Sequence, residues 1–148
     1  MTIVSEVYDY LITNVQTKLG SEWFRLNNPV DTGTDWDLFL KKGWCITAGS
    51  MSNTRRSICP TTSFSRDYTI TLTKEIMEQD AAFDLDAKAI LEAIALLNQL
   101  FDDNGNVALT SGTVNFQIIS DTGLVPIGTE TDKFVFSEIT IRVEMFMS

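Results

Sequence analysis

The residues of this sequence that best suit chemistry are five carboxylates clustered in the middle of the chain: Glu75, Glu78, Asp80, Asp84 and Asp86. Such a cluster can hold a divalent cation or supply a general acid–base pair. The cluster also lies where a strand pattern gives way to a helix pattern, and acidic side chains are stabilised near the positive end of a helix dipole. We therefore interpret it as a solvated helix start and predict no metal or catalytic site there.

A second acidic group, Asp102-Asp103-Asn104-Gly105-Asn106, resembles part of a calcium-binding loop. An EF-hand loop needs a glutamate six residues after its glycine, and here that position is Ser111. We predict that this segment ends a helix and turns the chain without binding metal.

The absence of histidine argues most strongly against catalysis. Histidine is the commonest metal ligand and the usual activator of a serine or cysteine nucleophile. Cys45 and Cys59 have neither the spacing of a metal site nor that of a redox motif, so we expect ordinary reduced thiols. The sequence also contains no nucleotide-binding or nucleophile-elbow motif. We predict that the protein is not an enzyme and uses no cofactor.

The basic residues are better candidates for contacts with partner proteins. The net charge of −9 argues against a general nucleic-acid binder. No acidic residue occurs between Asp37 and Asp67, however, and five basic ones lie there: Lys41, Lys42, Arg55, Arg56 and Arg66. We predict that these five residues contact an acidic surface of a partner or of a second copy.

Apolar spacing predicts the elements of the first half. Val4, Tyr8, Leu11, Val15 and Leu19 share one face of a helix that ends at Gly20. A strand is predicted over 36–48 with a bulge at Gly43, then a long flexible loop over 49–65, then an alternating strand over 66–76. Residues 21–35 are predicted to form a loop.

The second half repeats the order of a helix followed by strands. An apolar stripe from Phe83 to Phe101 predicts a second helix, and strands are predicted over 113–118 and 134–146. The predicted fold is therefore α+β, in the order α-β-β-α-β-β. It has a single antiparallel (mixed at most) four-stranded sheet with two main helices packed on one face. We expect one domain over 1–148.

The chain has no apolar run near the roughly 20 residues that a membrane-spanning helix needs. Its start carries Glu6 and Asp9 and lacks the basic region of a signal peptide. We expect a soluble protein that is made inside the cell.

This order of elements resembles the tail terminator proteins of long-tailed bacteriophages. The resemblance rests on the opening helix (4–19), the strand after a long polar loop (66–76) and the final strand (136–146), together with the size and acidity of the chain. It covers most of the chain. The family has no short signature motif, so the resemblance assigns no functional residue.

The resemblance implies a structural protein of the virion, made in the host cytoplasm. Copies would form a hexameric ring that caps the tail tube, stops tube polymerisation and joins the tail to head-completion proteins. DNA would pass through the ring without specific binding, since an acidic channel repels phosphates. The 49–65 loop would contact the tube or a neighbouring subunit.

Three other functions remain open from the sequence. A minor tail or tail-tube-like component would form stacked rings or fibres instead of one capping ring. A metal-dependent enzyme would use the carboxylates that follow Glu75. A ferredoxin-like RNA binder is disfavoured by the sequence pI of about 4.3 and by the lack of an aromatic RNA-binding motif.

Overall fold

The computed structural model describes residues 2–27, 34–55, 62–76, 80–103, 105–128 and 133–147. Three helices lie in this part of the chain: α1 (Ile3–Leu19), α2 (Thr34–Lys42) and α3 (Asp80–Asp103). The strands are β1 (Phe24–Arg25), β2 (Gly43–Arg55), β3 (Thr62–Glu75), β4 (Asn106–Leu109), β5 (Gly112–Asp121), β6 (Val125–Gly128) and β7 (Lys133–Met147). None of the described helices is long and apolar enough to cross a bilayer.

All seven described strands belong to one curled, half-barrel sheet in the order β1-β2-β3-β7-β5-β4. Strand β6 pairs with β7 beyond the end of β5, so β5 and β6 follow one another along the same side of β7. The pairing of β1 with β2 is parallel, and the other pairings are antiparallel. The sheet is therefore mixed, with β2 and β4 near its two lateral edges.

The predicted sheet of four strands with two helices is wrong, because the described residues form seven strands and three helices. The long elements keep the predicted order: α1, β2, β3, α3, β5 and β7. The additional strands β1, β4 and β6 have two to four residues each, which is too short for an alternating pattern to be recognised.

The strand predicted over 36–48 is wrong in its first half, which is helix α2. Trp36, Phe39 and Leu40 follow helical spacing, and Asp35 and Asp37 lie in the first turn with basic residues in the last. The strand begins at Gly43, where an added Cβ would lie 2.6 Å from the carbonyl oxygen of Phe39. A glycine at this position lets the chain turn tightly from the helix into β2, so Gly43 is not a bulge inside a strand.

The loop predicted over 49–65 is also wrong for most of its length. Strand β2 continues to Arg55, β3 begins at Thr62, and the two pair from Met51↔Arg66 to Arg55↔Thr62. Residues 56–61 lie outside the described part of the chain. A register shift between Ala48 and Met51 interrupts the alternation, which is why the segment has no regular period in the sequence.

The two predicted helices, α1 and α3, share one face of the sheet, and the additional helix α2 lies on the opposite face. Helices α1 and α3 cover the inner face, whose core includes Trp44, Tyr68 and Ile139. Helix α2 packs on the opposite face through a second, smaller core of Leu26, Phe39, Leu40 and Cys45. The Thr73 hydroxyl anchors α2 by donating to the Phe39 carbonyl at 2.6 Å.

Candidate assembly surface

Beyond α2 the outer face of the sheet is open and polar. Thr47, Thr69, Thr140 and Ser120 lie opposite one another on β2, β3, β7 and β5, so hydroxyls cross four adjacent strands in a row. Of these side chains, Thr69 and Thr140 are half-buried and the other two are exposed. Each of these hydroxyls can both donate and accept a hydrogen bond.

An ion pair lies next to the hydroxyl row. Arg142 donates from Nε to Asp67 Oδ1 at 3.0 Å and from Nη2 to Asp67 Oδ2 at 3.3 Å. The hydrogen bond and the charge of Asp67 raise the pKa of Arg142. Glu138 and Glu144 are exposed on the same strand and face, so the open face carries more negative than positive charge.

The outer edge of β2 is paired by β1 only at Gly43 and Trp44 in the described chain. Just past β1, the Leu26 amide donates to the Trp44 carbonyl at 2.9 Å, so the polar backbone groups of Trp44 point away from β3. At the end of β3, the Ile76 amide donates to the Lys133 carbonyl, so even-numbered residues of this strand point to β7. Both hydrogen bonds therefore indicate the same alternation of inward and outward backbone groups along β2 and β3.

From Ile46 to Arg55 no described strand pairs with the outer edge of β2. In an antiparallel pair, consecutive residues direct their backbone groups alternately toward and away from the partner strand. The β2 residues opposite even-numbered positions of β3 therefore direct their amides outward. They are Ile46, Ala48, Met51, Asn53 and Arg55. Over the whole of β2, 13 residues long, the edge measures roughly 40 Å at 3.3 Å per residue.

The opposite lateral edge of the sheet belongs to β4. Its hairpin with β5 closes at the Leu109↔Gly112 pair, and the Phe116 amide donates to the Gly105 carbonyl at 2.7 Å. By alternation, Gly105, Val107 and Leu109 bond to β5, and Asn106 and Ala108 direct their backbone groups outward. No further described strand pairs with β4.

The described members of the five predicted contact residues lie in different parts of the fold. Lys41 is exposed at the end of α2. Lys42 already has partners within the chain. Its ammonium lies 3.0 Å from the Glu22 carboxylate and 5.2 Å from the centre of the Trp23 ring. Arg55 ends β2, at the far end of the strand, and Arg56 lies outside the described residues.

Arg66 lies on the inner face of β3, in line with Tyr68, and is half-buried. Its Nε is buried and has no hydrogen-bond partner among the described residues. Burial raises the pKa of Tyr68, and the charge of Arg66 partly offsets that effect. Arg66 thus faces the helices, and its role as a partner contact stays a prediction.

The carboxylates near the start of α3 whose side chains are described have separate environments. Asp86 is buried and bonded to the Lys74 ammonium at 2.9 Å, which ties α3 to the sheet. Asp84 and Glu75 are exposed, and Glu78 lies outside the described residues. Within the described ranges no group of three or more metal-ligating side chains occurs. Asp86 therefore has a structural partner that the sequence did not reveal.

The other reactive groups also have structural roles. Glu6 accepts from the Ser111 amide and hydroxyl at 3.2 and 3.0 Å, which joins α1 to the β4–β5 hairpin. The Cys45 thiol is buried, and Cys59 lies outside the described residues. Asp102 and Asp103 end α3 with exposed side chains.

Sequence reasoning did not place unpaired edges on β2 and β4. A signal for the first exists in the run Ile46–Thr54, which contains no charge and no proline. Charged residues and proline usually protect natural edge strands. The run has the composition of an unprotected strand. Because apolar and polar residues do not alternate in it, its sequence predicts a loop.

Of three comparisons with known proteins, the one with solved structures found similar chains. No protein-family model matches the chain, and no curated protein matches it. A chain of the structure described as "Virion of native gene transfer agent (GTA) particle" aligns with 95% of this chain and 91% of its own length. The TM-score is 0.46 and the sequence identity is 12%. Similarity at this level does not by itself establish a common function.

Proposed function

We propose that this chain is a structural virion protein that acts as a tail terminator. Copies form a ring on the head-proximal end of the tail tube. The resemblance to that family implies that the ring is a hexamer. The ring stops tube polymerisation and joins the tail to head-completion proteins. The observation that best supports this proposal is that two edges, on opposite sides of one curled sheet, pair with no further strand among the described residues.

Two different patches on one subunit favour rings. When one patch binds the other patch of the next copy, the contact is head-to-tail and closes if the rotation per subunit allows it. A subunit with one self-complementary patch would stop at a dimer. The edges of β2 and β4 are two such different patches.

The charge of the chain also suits a ring around DNA. A net charge of −9 repels phosphates, so DNA can pass without being held. The exposed Lys41 and the pair Arg55 and Arg56 remain candidate contacts with an acidic surface of the tube protein, the head-completion protein or a neighbouring copy.

The test combines the purified chain with the tube protein of the same particle. We expect negative-stain electron microscopy to show tubes that bear one ring at one end and do not elongate further. Tubes that grow equally long with and without this chain, and carry no ring, would refute the proposal.

A second candidate is a tail-tube-like component. The same two edges support it, because a head-to-tail contact whose rotation per subunit does not close a ring gives an open helical assembly. Light scattering and microscopy of the chain alone distinguish the two: a single size of closed ring supports a terminator, and fibres of unlimited length support a tube component.

The enzyme alternative is disfavoured by the ion pair of Asp86 with Lys74, which occupies a buried carboxylate of the cluster. A thermal shift in Mg²⁺, Mn²⁺ or Ca²⁺ tests it, because a bound ion stabilises the folded state. We expect the melting temperature to be unchanged, and a rise that saturates with metal would revive that alternative.

A further inference from the structure

We propose that subunits join by strand addition: the free edge of β2 in one copy pairs, antiparallel, with the free edge of β4 in the next. The inference deepens the proposed ring function by naming the surfaces that meet and the backbone groups that bond. The occupant of each edge is a second copy of this chain.

The backbone geometry calls for an extended partner. The outward amides of Met51 and Asn53 on β2, and of Ala108 on β4, have no strand partner in the described chain. A row of unpaired N–H and C=O groups is a template for another strand. Main-chain hydrogen bonds then supply affinity without requiring a particular side chain.

Charge and proline, which commonly protect edge strands, are missing from most of both edges. Ile46–Thr54 contains no charged residue and no proline, and neither does Asn106–Leu109. The register shift after Ala48 is the one protective feature on β2, and it leaves the end of the strand, Met51–Arg55, paired with β3 and available on its outer side.

Charge favours β4 of the next copy over a second β2. Two β2 edges would bring together two segments that are basic, since Arg55 and Arg56 follow the uncharged run. Strand β4 instead follows Asp102 and Asp103, which are exposed at the end of α3. The β2 end is therefore complementary to the start of β4.

The same charges fix the direction of pairing. In an antiparallel arrangement the end of one strand lies beside the start of the other. Arg55 then comes next to the start of β4 and near the acidic end of α3. In a parallel arrangement Arg55 would lie at the other end of β4, away from those carboxylates.

The first experiment removes one outward amide from each edge. Proline lacks the N–H and is tolerated on an edge strand where that group is not bonded within the sheet. We expect Asn53→Pro and Ala108→Pro each to abolish the assembled species in light scattering. The matched controls Asn53→Thr and Ala108→Thr keep the amide and are expected to assemble as the wild type does.

Mixing the two proline variants gives a second measurement. Asn53→Pro retains an intact β4 edge and Ala108→Pro retains an intact β2 edge, so one contact between the two variants remains possible. We expect an equimolar mixture to form 1:1 dimers that do not grow further. Formation of these dimers also shows that both variants are folded.

The outcomes separate this inference from the proposed function. Rings that form normally from Asn53→Pro or Ala108→Pro overturn the edge pairing and leave a ring-forming terminator intact. Dimers of Ala108→Pro alone would instead mean β2-to-β2 pairing, which also overturns the inference. If the wild-type chain stays monomeric yet still caps tubes, the pairing of strands between copies is overturned and the terminator function is not. Edge-dependent rings that leave tube length unchanged overturn the terminator function alone.

Discussion

The side-chain amide of Gln16 joins three parts of the chain. Its Oε1 accepts from the Trp44 indole at 2.9 Å, and its Nε2 donates to the Gly20 and Trp23 carbonyls at 2.9 and 3.1 Å. Trp44 is fully buried. Gln16 therefore fixes both the end of α1 and the large aromatic ring at the start of β2.

Removing this amide should destabilise the fold. Gln16→Ala removes the partner of the buried Trp44 N–H and one hydrogen bond to each of two carbonyls, of which Gly20 keeps the Trp23 amide as donor. An unpaired buried polar group costs about 1–3 kcal/mol. We expect urea denaturation to show a loss of that size in the free energy of unfolding. Gln99→Ala on the exposed side of α3 is the control, and equal losses in the two variants would contradict the role of Gln16.

The Cys45 thiol should be chemically inert in the folded protein. Burial raises its pKa above 9.0, and hydrogen bonds with Thr71 only partly lower it. The thiolate is the reactive form, so less of it is present at any given pH than for a free cysteine. In a Cys59→Ser background we expect slow labelling by iodoacetamide from pH 7 to 9 and rapid labelling in urea. Rapid labelling of the native protein at pH 7 would contradict this.

At the scale of elements, the junction of α2 with β2 is tightly packed. An added Cβ at Gly43 would lie 2.6 Å from the Phe39 carbonyl oxygen and 2.7 Å from its Cα. Thr73 donates to the same carbonyl. A side chain at position 43 would therefore push α2 away from the sheet.

Gly43→Ala should be destabilising by about 1–3 kcal/mol, the usual cost of overpacking. The matched control is Gly128→Ala in β6, where no atom lies within 4 Å of an added Cβ. Thermal unfolding of the two variants measures the difference. A melting temperature for Gly43→Ala equal to that of Gly128→Ala would show that α2 can move at no cost.

The elements also show where sequence patterns were sufficient. Helix α1 was predicted over 4–19 and lies at Ile3–Leu19, because a buried residue recurs at nearly every turn: Ile3, Val7, Leu11, Val15 and Leu19. The strand predicted over 134–146 lies at Lys133–Met147 for the corresponding reason, since Ile139, Ile141 and Val143 are fully buried. Helix α2 was missed because its nine residues fill only two turns and run directly into a strand.

At the scale of the whole molecule, charge is distributed unevenly. The β2 end carries Arg55 and Arg56, and the end of α3 carries Asp102 and Asp103. If these ends meet between copies, their attraction contributes to assembly and is screened by salt. Assembly should then be weaker at 500 mM than at 50 mM salt.

Charge reversal tests this contact directly. We expect Arg55→Glu with Arg56→Glu to weaken assembly by tenfold or more, and Asp102→Lys with Asp103→Lys to do the same. Combining the four substitutions should restore assembly, because opposite charges meet again. Lys88→Glu, on the exposed side of α3, is the control for net charge. Failure of the combined variant to recover, with folding intact by circular dichroism, would exclude this contact.

The sequence by itself determined the long amphipathic elements, their order and the lack of a motif for catalysis. These properties depend on spacing within one segment, which the chain displays directly. The tertiary structure alone decided that α2 lies on the outer face, that Asp86 meets Lys74, and that β2 and β4 have unpaired outer edges. Each of these depends on which distant segments become neighbours, and no local pattern encodes that. Each of these edges is free because no other strand in the described part of the chain reaches it.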